Sequence, residues 1–232
     1  MNKSRIKNAL INHKYLYKTV RFAYDITWKK YKISKKRNNF LSGFDGALSE
    51  IDANFSDHKI EFWAMFGTLL GLHRDGGPIK HDLDIDIGVW IEDRSKIRNL
   101  LTQKGYVMLH SFSSPSYADA IEDSFEINGV KVDFFYCKKR EDNIVCYDFP
   151  DVDKSGNQLP DQHFSVRRII LPLSGFKVHL YKNNQLRIPL NTNEHLACRY
   201  GVDFMVPNPK YDYRKKSDCV EFLSDDGYIT TM

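Results

Sequence analysis

Six consecutive residues, Asp82-Leu83-Asp84-Ile85-Asp86-Ile87, alternate acid and aliphatic. On a strand, every second side chain points to the same face. Asp82, Asp84 and Asp86 therefore project together, and the three aliphatics anchor the strand in a core. Neighbours on one strand face stand roughly 7 Å apart. Carboxylates at that spacing repel each other unless a cation lies between them. Oxygen-only ligands of this kind suit a hard divalent ion such as magnesium. The competing reading is an edge strand with acids on its wet side.

Two further features support the metal reading. Upstream, Phe66-Gly67-Thr68-Leu69-Leu70-Gly71 puts a glycine and a hydroxyl where a strand meets a helix. Backbone amides at such a start can cradle phosphate, and glycine permits close approach. Downstream, Val130-Lys131-Val132-Asp133-Phe134-Phe135 is an apolar strand with one acid inside it. A lone carboxylate there is costly unless it is paired or metal-bound. A phosphate turn, paired aspartates and a third aspartate on a later strand make a two-metal phosphoryl-transfer site.

The elements that must position these residues are mixed. Leu41, Phe44, Leu48, Ile51 and Phe55 have helical spacing. Residues 60–66 and 83–90 read as strands, and residues 94–101 as a helix capped by Asp93. Strands are expected over 107–112, 125–127, 130–136 and 144–147. A hairpin turning at Asn183-Asn184 joins strands 176–181 and 185–188. A helix over 193–200 ends at Gly201 in the left-handed conformation. The fold class is α+β, a mixed sheet flanked by helices.

Charge divides the chain. Residues 1–37 hold twelve Lys and Arg against one acid, and the rest hold twenty-two against twenty-nine. Over residues 5–37, Ile6, Leu10, His13, Tyr17, Val20, Tyr24, Thr27 and Tyr31 fall on one helical face among basic residues. Such a helix can lie on an anionic membrane surface, or pack its aromatic stripe on protein. The expected division is a basic helical extension (1–38), a catalytic domain (39–207) and a tail (208–232). No apolar run reaches membrane-spanning length, and no secretory signal is read. The four cysteines show no zinc-like spacing and are read as reduced. His163 and His195 are read as surface or core residues.

Gly67–Arg74 (GTLLGLHR), Gly77, Ile79 and His81–Asp86 (HDLDID) resemble the core motif of the LicD family, approximately GTLLGxxR followed by WDxDxD. The family includes bacterial phosphocholine transferases and fukutin-related ribitol-phosphate transferases. His81 stands where the family usually has tryptophan, and Lys80 where it has proline. Asp133 matches the family's third acid. Pro172, Phe176, Ile188-Pro189 and Tyr200-Gly201 match a later, weaker pattern. The resemblance spans residues 41–207.

It implies a nucleotidyltransferase-like fold that moves a phospho-alcohol from a CDP-linked donor to a glycan hydroxyl. The alcohol would be choline, ribitol or glycerol, and the acceptor a cell-surface glycan or lipid-linked oligosaccharide of lipopolysaccharide or capsule type. Asp84, Asp86 and Asp133 would be catalytic and would hold Mg2+, as one or two ions, with Mn2+ as a substitute. Gly67, Thr68 and Arg74 would meet donor phosphates. Asp82, Arg167 and Arg168 are further candidates, Arg74 being equally suited to a salt bridge within its turn. The expected place is cytoplasmic, peripheral on the inner membrane face through residues 1–37, without nucleic acid as a partner. Two alternatives stay open: transfer of a nucleoside monophosphate to a small molecule, sugar phosphate or RNA end, and a non-enzymatic binding module.

Overall fold

The computed structural model describes residues 14–208, 210–214 and 217–231. The chain divides into two units, Met1–Asn39 and Phe40–Met232. One helix, α1 (Lys14–Asp57), runs through that boundary. The sequence predicts two helices here, and the structure has one. No glycine or proline occurs between Lys14 and Ser42, and Asn38-Asn39 costs a helix at most roughly 0.7 kcal/mol per residue. Residues 5–13 of the expected basic helix lie outside the described residues.

In the first unit, Tyr24 (62% exposed), Trp28 (47%) and Tyr31 (58%) face solvent. Tyr24 stacks on Trp28 at 6.2 Å, Trp28 on Tyr31 at 5.6 Å, and the Lys32 ammonium lies 5.6 Å from the Trp28 ring centre. Among the described residues, no helix is long and apolar enough to cross a membrane.

In the second unit, α1 buries Phe40, Phe44, Ala47, Leu48, Ile51 and Phe55. Leu41, expected on this face, is exposed, and Phe40 takes its place. The remaining elements are β1 (Phe62–Ala64), α2 (Phe66–Leu70), a π-turn (Gly71–Asp75), β2 (Asp84–Trp90), α3 (Arg94–Gln103), β3 (Val107–Ser113), β4 (Ile121–Ile127) and β5 (Val130–Arg140). Then follow β6 (Asn143–Asp148), β7 (Phe164–Pro172), β8 (Phe176–Tyr181), β9 (Asn184–Pro189), α4 (Thr192–Tyr200) and β10 (Val220–Thr231).

The sheet runs β4-β3-β10-β7-β6-β5-β2-β1-β9-β8, and β4 also pairs with β5. The pairings β4–β3–β10–β7–β6–β5 therefore close into a ring, and β2, β1, β9 and β8 extend from it. Alternation on β2 works as expected. Ile85, Ile87 and Val89 join Leu48 and Ile51 of α1 and Ile97 and Leu101 of α3 in one core cluster. Each such aliphatic stabilises the fold by roughly 1.5–3 kcal/mol. The acids of β2 take the opposite face.

Four local expectations are corrected. The segment expected as a tail supplies β10, which sits between β3 and β7 in the sheet. Its polar Ser224-Asp225-Asp226 falls at a register shift, and that hides the strand pattern. Asp93 makes no capping hydrogen bond, because a 3-10 turn over Ile91–Asp93 leads into α3. The hairpin turns at Lys182-Asn183, and Asn184 already belongs to β9, accepting a bond from the Ser49 hydroxyl (2.8 Å). Gly201 ends α4 at φ 94° and ψ 163°, a positive φ but not the left-handed helical one.

His195, on α4, is a core histidine, as expected. Its Nδ1 bonds the Pro172 carbonyl (3.0 Å), and its Nε2 has no partner among the described residues. Burial lowers its pKa from 6.5 to about 4. Between those values the unfolded chain takes up a proton that the folded chain refuses, so stability falls as pH falls. At pH 5 the loss from this group is about 2 kcal/mol. Urea unfolding at pH 7.5 and 5.0 should show a change smaller by about 2 kcal/mol in His195→Asn than in the wild type. Equal drops in both chains would refute it.

Candidate active site

Asp84 and Asp86 stand on β2, and Asp133 on β5 beside it. The two strands are parallel with Asp84 opposite Lys131 and Asp86 opposite Asp133. That register brings the predicted trio to one wall of a cavity of about 900 Å³. Burial, then the neighbouring Asp133, raises the Asp84 carboxyl above its ordinary range. Burial, then Asp84 and Asp133, raises that of Asp86 well above it. Asp82 lines the same cavity, and burial with Asp84 lifts its carboxyl to about 7. The cause throughout is first burial in a partly dry space and then the crowding of like charge.

The Gly-Thr turn serves these acids directly. The Gly67 amide donates to Asp86 Oδ2 (2.9 Å), and the Asp86 amide donates to the Thr68 hydroxyl (2.8 Å). A Cβ on Gly67 would lie 2.7 Å from Asp82 Oδ2 and 3.2 Å from Asp86 Oδ2, so a larger residue would push both carboxyl groups from their places. Phe66, just before it, has φ 39°, a conformation seldom adopted by a bulky residue. Strain of this kind persists where surroundings dictate it. The turn thus grips Asp86.

Lys131 neutralises part of the cluster. Its ammonium bonds Asp133 Oδ2 at 2.6 Å and Asp84 Oδ2 at 3.3 Å. Burial opposes its charge, but Asp133, Asp84 and Glu122 outweigh that and hold its pKa above the ordinary lysine value. Ser124, opposite Asp133 on β4, donates to Asp133 Oδ1 and contacts His110 Nε2 (2.8 Å). Burial and Lys131 lower the His110 pKa to about 4, so the ring is neutral near pH 7. Ligand atoms of His110, Glu122 and Asp133 lie within 4.8 Å of one another. Burial, then Asp133, raises the Glu122 carboxyl well above its usual range. Asp82, Asp84, Asp86, Glu122 and Asp133 thus line the cavity with Lys131 among them, and Asp148, Asp151 and Asp203 line it too. That excess of negative charge and oxygen donors fits a divalent cation.

The predicted arginines fall differently. Arg74 lines the cavity, but it donates Nε and Nη2 to Asp75 (2.9 Å each) and Nη1 to the Phe204 carbonyl (3.4 Å). The salt bridge within the turn is therefore present. Arg167 and Arg168 are not among the cavity-lining residues. Arg167 is buried against Asp148, and Arg168 meets Glu221 (3.0 Å) across β7 and β10. The cavity arginine that sequence reasoning missed is Arg199, near the end of α4. Lys131 was readable, since it shares a strand face with Asp133 two residues on. His110, Glu122 and Arg199 carry no local signal, because only long-range pairing brings them here.

The sequence profile of the family described as LicD/FKTN/FKRP, nucleotidyltransferase domain, matches residues 59–183. The chain belongs to the LicD family. The match takes in α2, β2 and β5, and with them every acid just described. The mouse protein named ribitol-5-phosphate transferase FKTN is 22% identical to this chain over 171 residues, covering 71% of this chain and 34% of that protein. Its human counterpart is 23% identical over 168 residues, covering 70% of this chain and 33% of that protein. The uncharacterized protein RP689 of Rickettsia prowazekii (strain Madrid E) is 27% identical over 169 residues, covering 72% and 56%. This LicD chain spans about a third of the length of the named transferases it matches. A crystal structure of the lincosamide antibiotic adenylyltransferase LnuA, lincomycin-bound, aligns with TM-score 0.43 at 13% identity, covering 69% of this chain and 94% of that one.

Proposed function

We propose that this LicD chain transfers a phospho-alcohol from a CDP-linked donor to a sugar hydroxyl of a glycan, with magnesium. The observation that carries the reading is the meeting of Asp84, Asp86 and Asp133 on one cavity wall of a LicD domain. The relatives named ribitol-5-phosphate transferases support the reaction class. In the reaction, the acceptor oxygen bonds the phosphorus that carries the alcohol. The bond from that phosphorus to CMP breaks, and the hydroxyl proton leaves to a base. Mg2+ held by Asp84, Asp86 and Asp133 would neutralise the diphosphate and favour ionisation of the acceptor. The chain's own groups do the rest. Gly67 and Thr68 hold Asp86 in place, Ser124 and Lys131 orient Asp133, and Asp133 takes the proton. A cavity of about 900 Å³ would give donor and acceptor a common site, and such positioning is a large part of phosphoryl-transfer catalysis.

The test is magnesium-dependent CMP release from CDP-choline, CDP-ribitol and CDP-glycerol with sugar acceptors. CMP from one donor, abolished by chelation, supports the reading and names the alcohol. Pyrophosphate release from a nucleoside triphosphate, with no CMP from any CDP-alcohol, would replace it with nucleotidyl transfer.

The acceptor fits a lipid-carried glycan at the inner membrane face. The exposed Tyr24, Trp28 and Tyr31 rings among lysines support contact with an anionic membrane surface. Flotation with phosphatidylglycerol vesicles should carry the full chain and leave behind one lacking residues 1–37. Equal flotation of both would sink the membrane proposal.

A further inference from the structure

We infer that Arg199 is the residue that receives the donor's phosphate oxygens, from the wall of the cavity facing the acid cluster's turn. The inference rests on the cavity being a phospho-transfer site. Arg199 is only 5% exposed and lines that cavity. Its Nη2 lies 3.4 Å from Asp148 Oδ2, while Nε and Nη1 have no partner among the described residues. Asp148 is already engaged: its Oδ1 accepts from Arg167 Nε (2.8 Å), and its Oδ2 from Arg167 Nη2. One carboxylate therefore faces two buried guanidinium groups. A positive charge remains, with two nitrogens unsatisfied.

Leaving a charged donor buried without an acceptor is expensive. An anion entering the cavity would supply what is missing. The place of the guanidinium fits that role. It lies 5.1 Å from the centre of the Phe66 ring. Phe66 opens the turn whose next residue, Gly67, grips Asp86. The acids and Arg199 thus flank one turn with opposite charge. A diphosphate has oxygens enough for a cation at the acids and a guanidinium at Arg199, and arginine's fork suits phosphate.

A purely structural Arg199 would make the opposite predictions, and that makes a test possible. Inorganic pyrophosphate in magnesium buffer is titrated calorimetrically into wild type, Arg199→Gln and Arg199→Lys, with melting temperatures measured without ligand. Arg199→Gln should melt at or above the wild-type temperature, because Asp148 keeps Arg167. Its pyrophosphate affinity should fall about 10–100-fold. Arg199→Lys should recover part of that loss. A lower melting temperature with unchanged affinity would overturn the inference, as would a wild type that fails to bind. Should Arg199→Gln not fold, the lysine chain decides: affinity equal to wild type would overturn the inference. The two readings fail separately. Binding that depends on Arg199 without CMP release costs only the transferase reading. CMP release with Arg199-independent binding costs only this one.

Discussion

An Asp86→Asn chain should remain folded, be at least as stable as wild type, and lose transfer by a factor of about 10³ or more. The two halves of that result come from one cause. Asp86 shares its surroundings with Asp84, Asp133 and Asp82, and burial plus those charges push its carboxyl well above its usual range. Folding therefore confines a carboxylate where its charge is opposed. Asparagine has the same shape, and its carbonyl can accept the Gly67 amide bond that Oδ2 accepts at 2.9 Å. Removing the charge relieves repulsion, and stabilisation of ~0.5–2 kcal/mol is the ordinary gain when a functional site is relaxed. The same change removes a cation ligand, so turnover collapses. Urea unfolding in chelator reads the first effect, and CMP release reads the second. A variant that keeps more than a tenth of wild-type turnover would remove Asp86 from the catalytic set. Loss of stability together with activity would make Asp86 a structural residue.

The legible part of this site is what strand alternation and short motifs can carry. Asp84 and Asp86 share a face because they are two residues apart, and Ile85 and Ile87 pin the other face in the core. The Gly67-Thr68 turn is visible as a motif, but its bond to Asp86 depends on a contact across nineteen positions. Asp133 was readable as an acid in an apolar strand. Its partner Ser124 was not, because Glu122-Asp123-Ser124 looks too polar for a strand interior. The structure supplies the reason: Asp123 is satisfied by Arg94 (3.2 Å) and Tyr136 (2.9 Å). Likewise β10 is hidden by its acids until the ring closes around it. Long-range pairing also separates the arginines. Arg167 and Arg199 both meet Asp148, but among the described residues Arg167 has a partner on every guanidinium nitrogen and Arg199 on one.

Removing Arg167 should cost far more than removing its neighbour. Arg167 has no exposed surface, and each of its three guanidinium nitrogens has a partner. Nε and Nη2 grip Asp148, while Nη1 bonds the carbonyls of Tyr213 (3.0 Å) and Arg214 (2.9 Å). The guanidinium also lies 5.3 Å from the Phe222 ring centre. It therefore ties β6, β7 and β10 to the segment before β10. Arg167→Met leaves a buried carboxylate and two carbonyls short of partners, and a loss of ~3–5 kcal/mol is expected. Arg168→Ala gives up a partly exposed pair with Glu221 and should cost less than about 1 kcal/mol. Urea unfolding of the two chains separates these values, and equal losses would refute the assignment. Pairing Arg167→Met with Asp148→Leu should restore part of the stability, because the stranded carboxylate is gone. Recovery should stop short of wild type. Among the described residues, Asp148 is also the carboxylate that pairs with Arg199 (3.4 Å), and without it that guanidinium stands uncompensated until an anion arrives. Pyrophosphate should therefore raise the melting temperature of the double variant more than that of wild type.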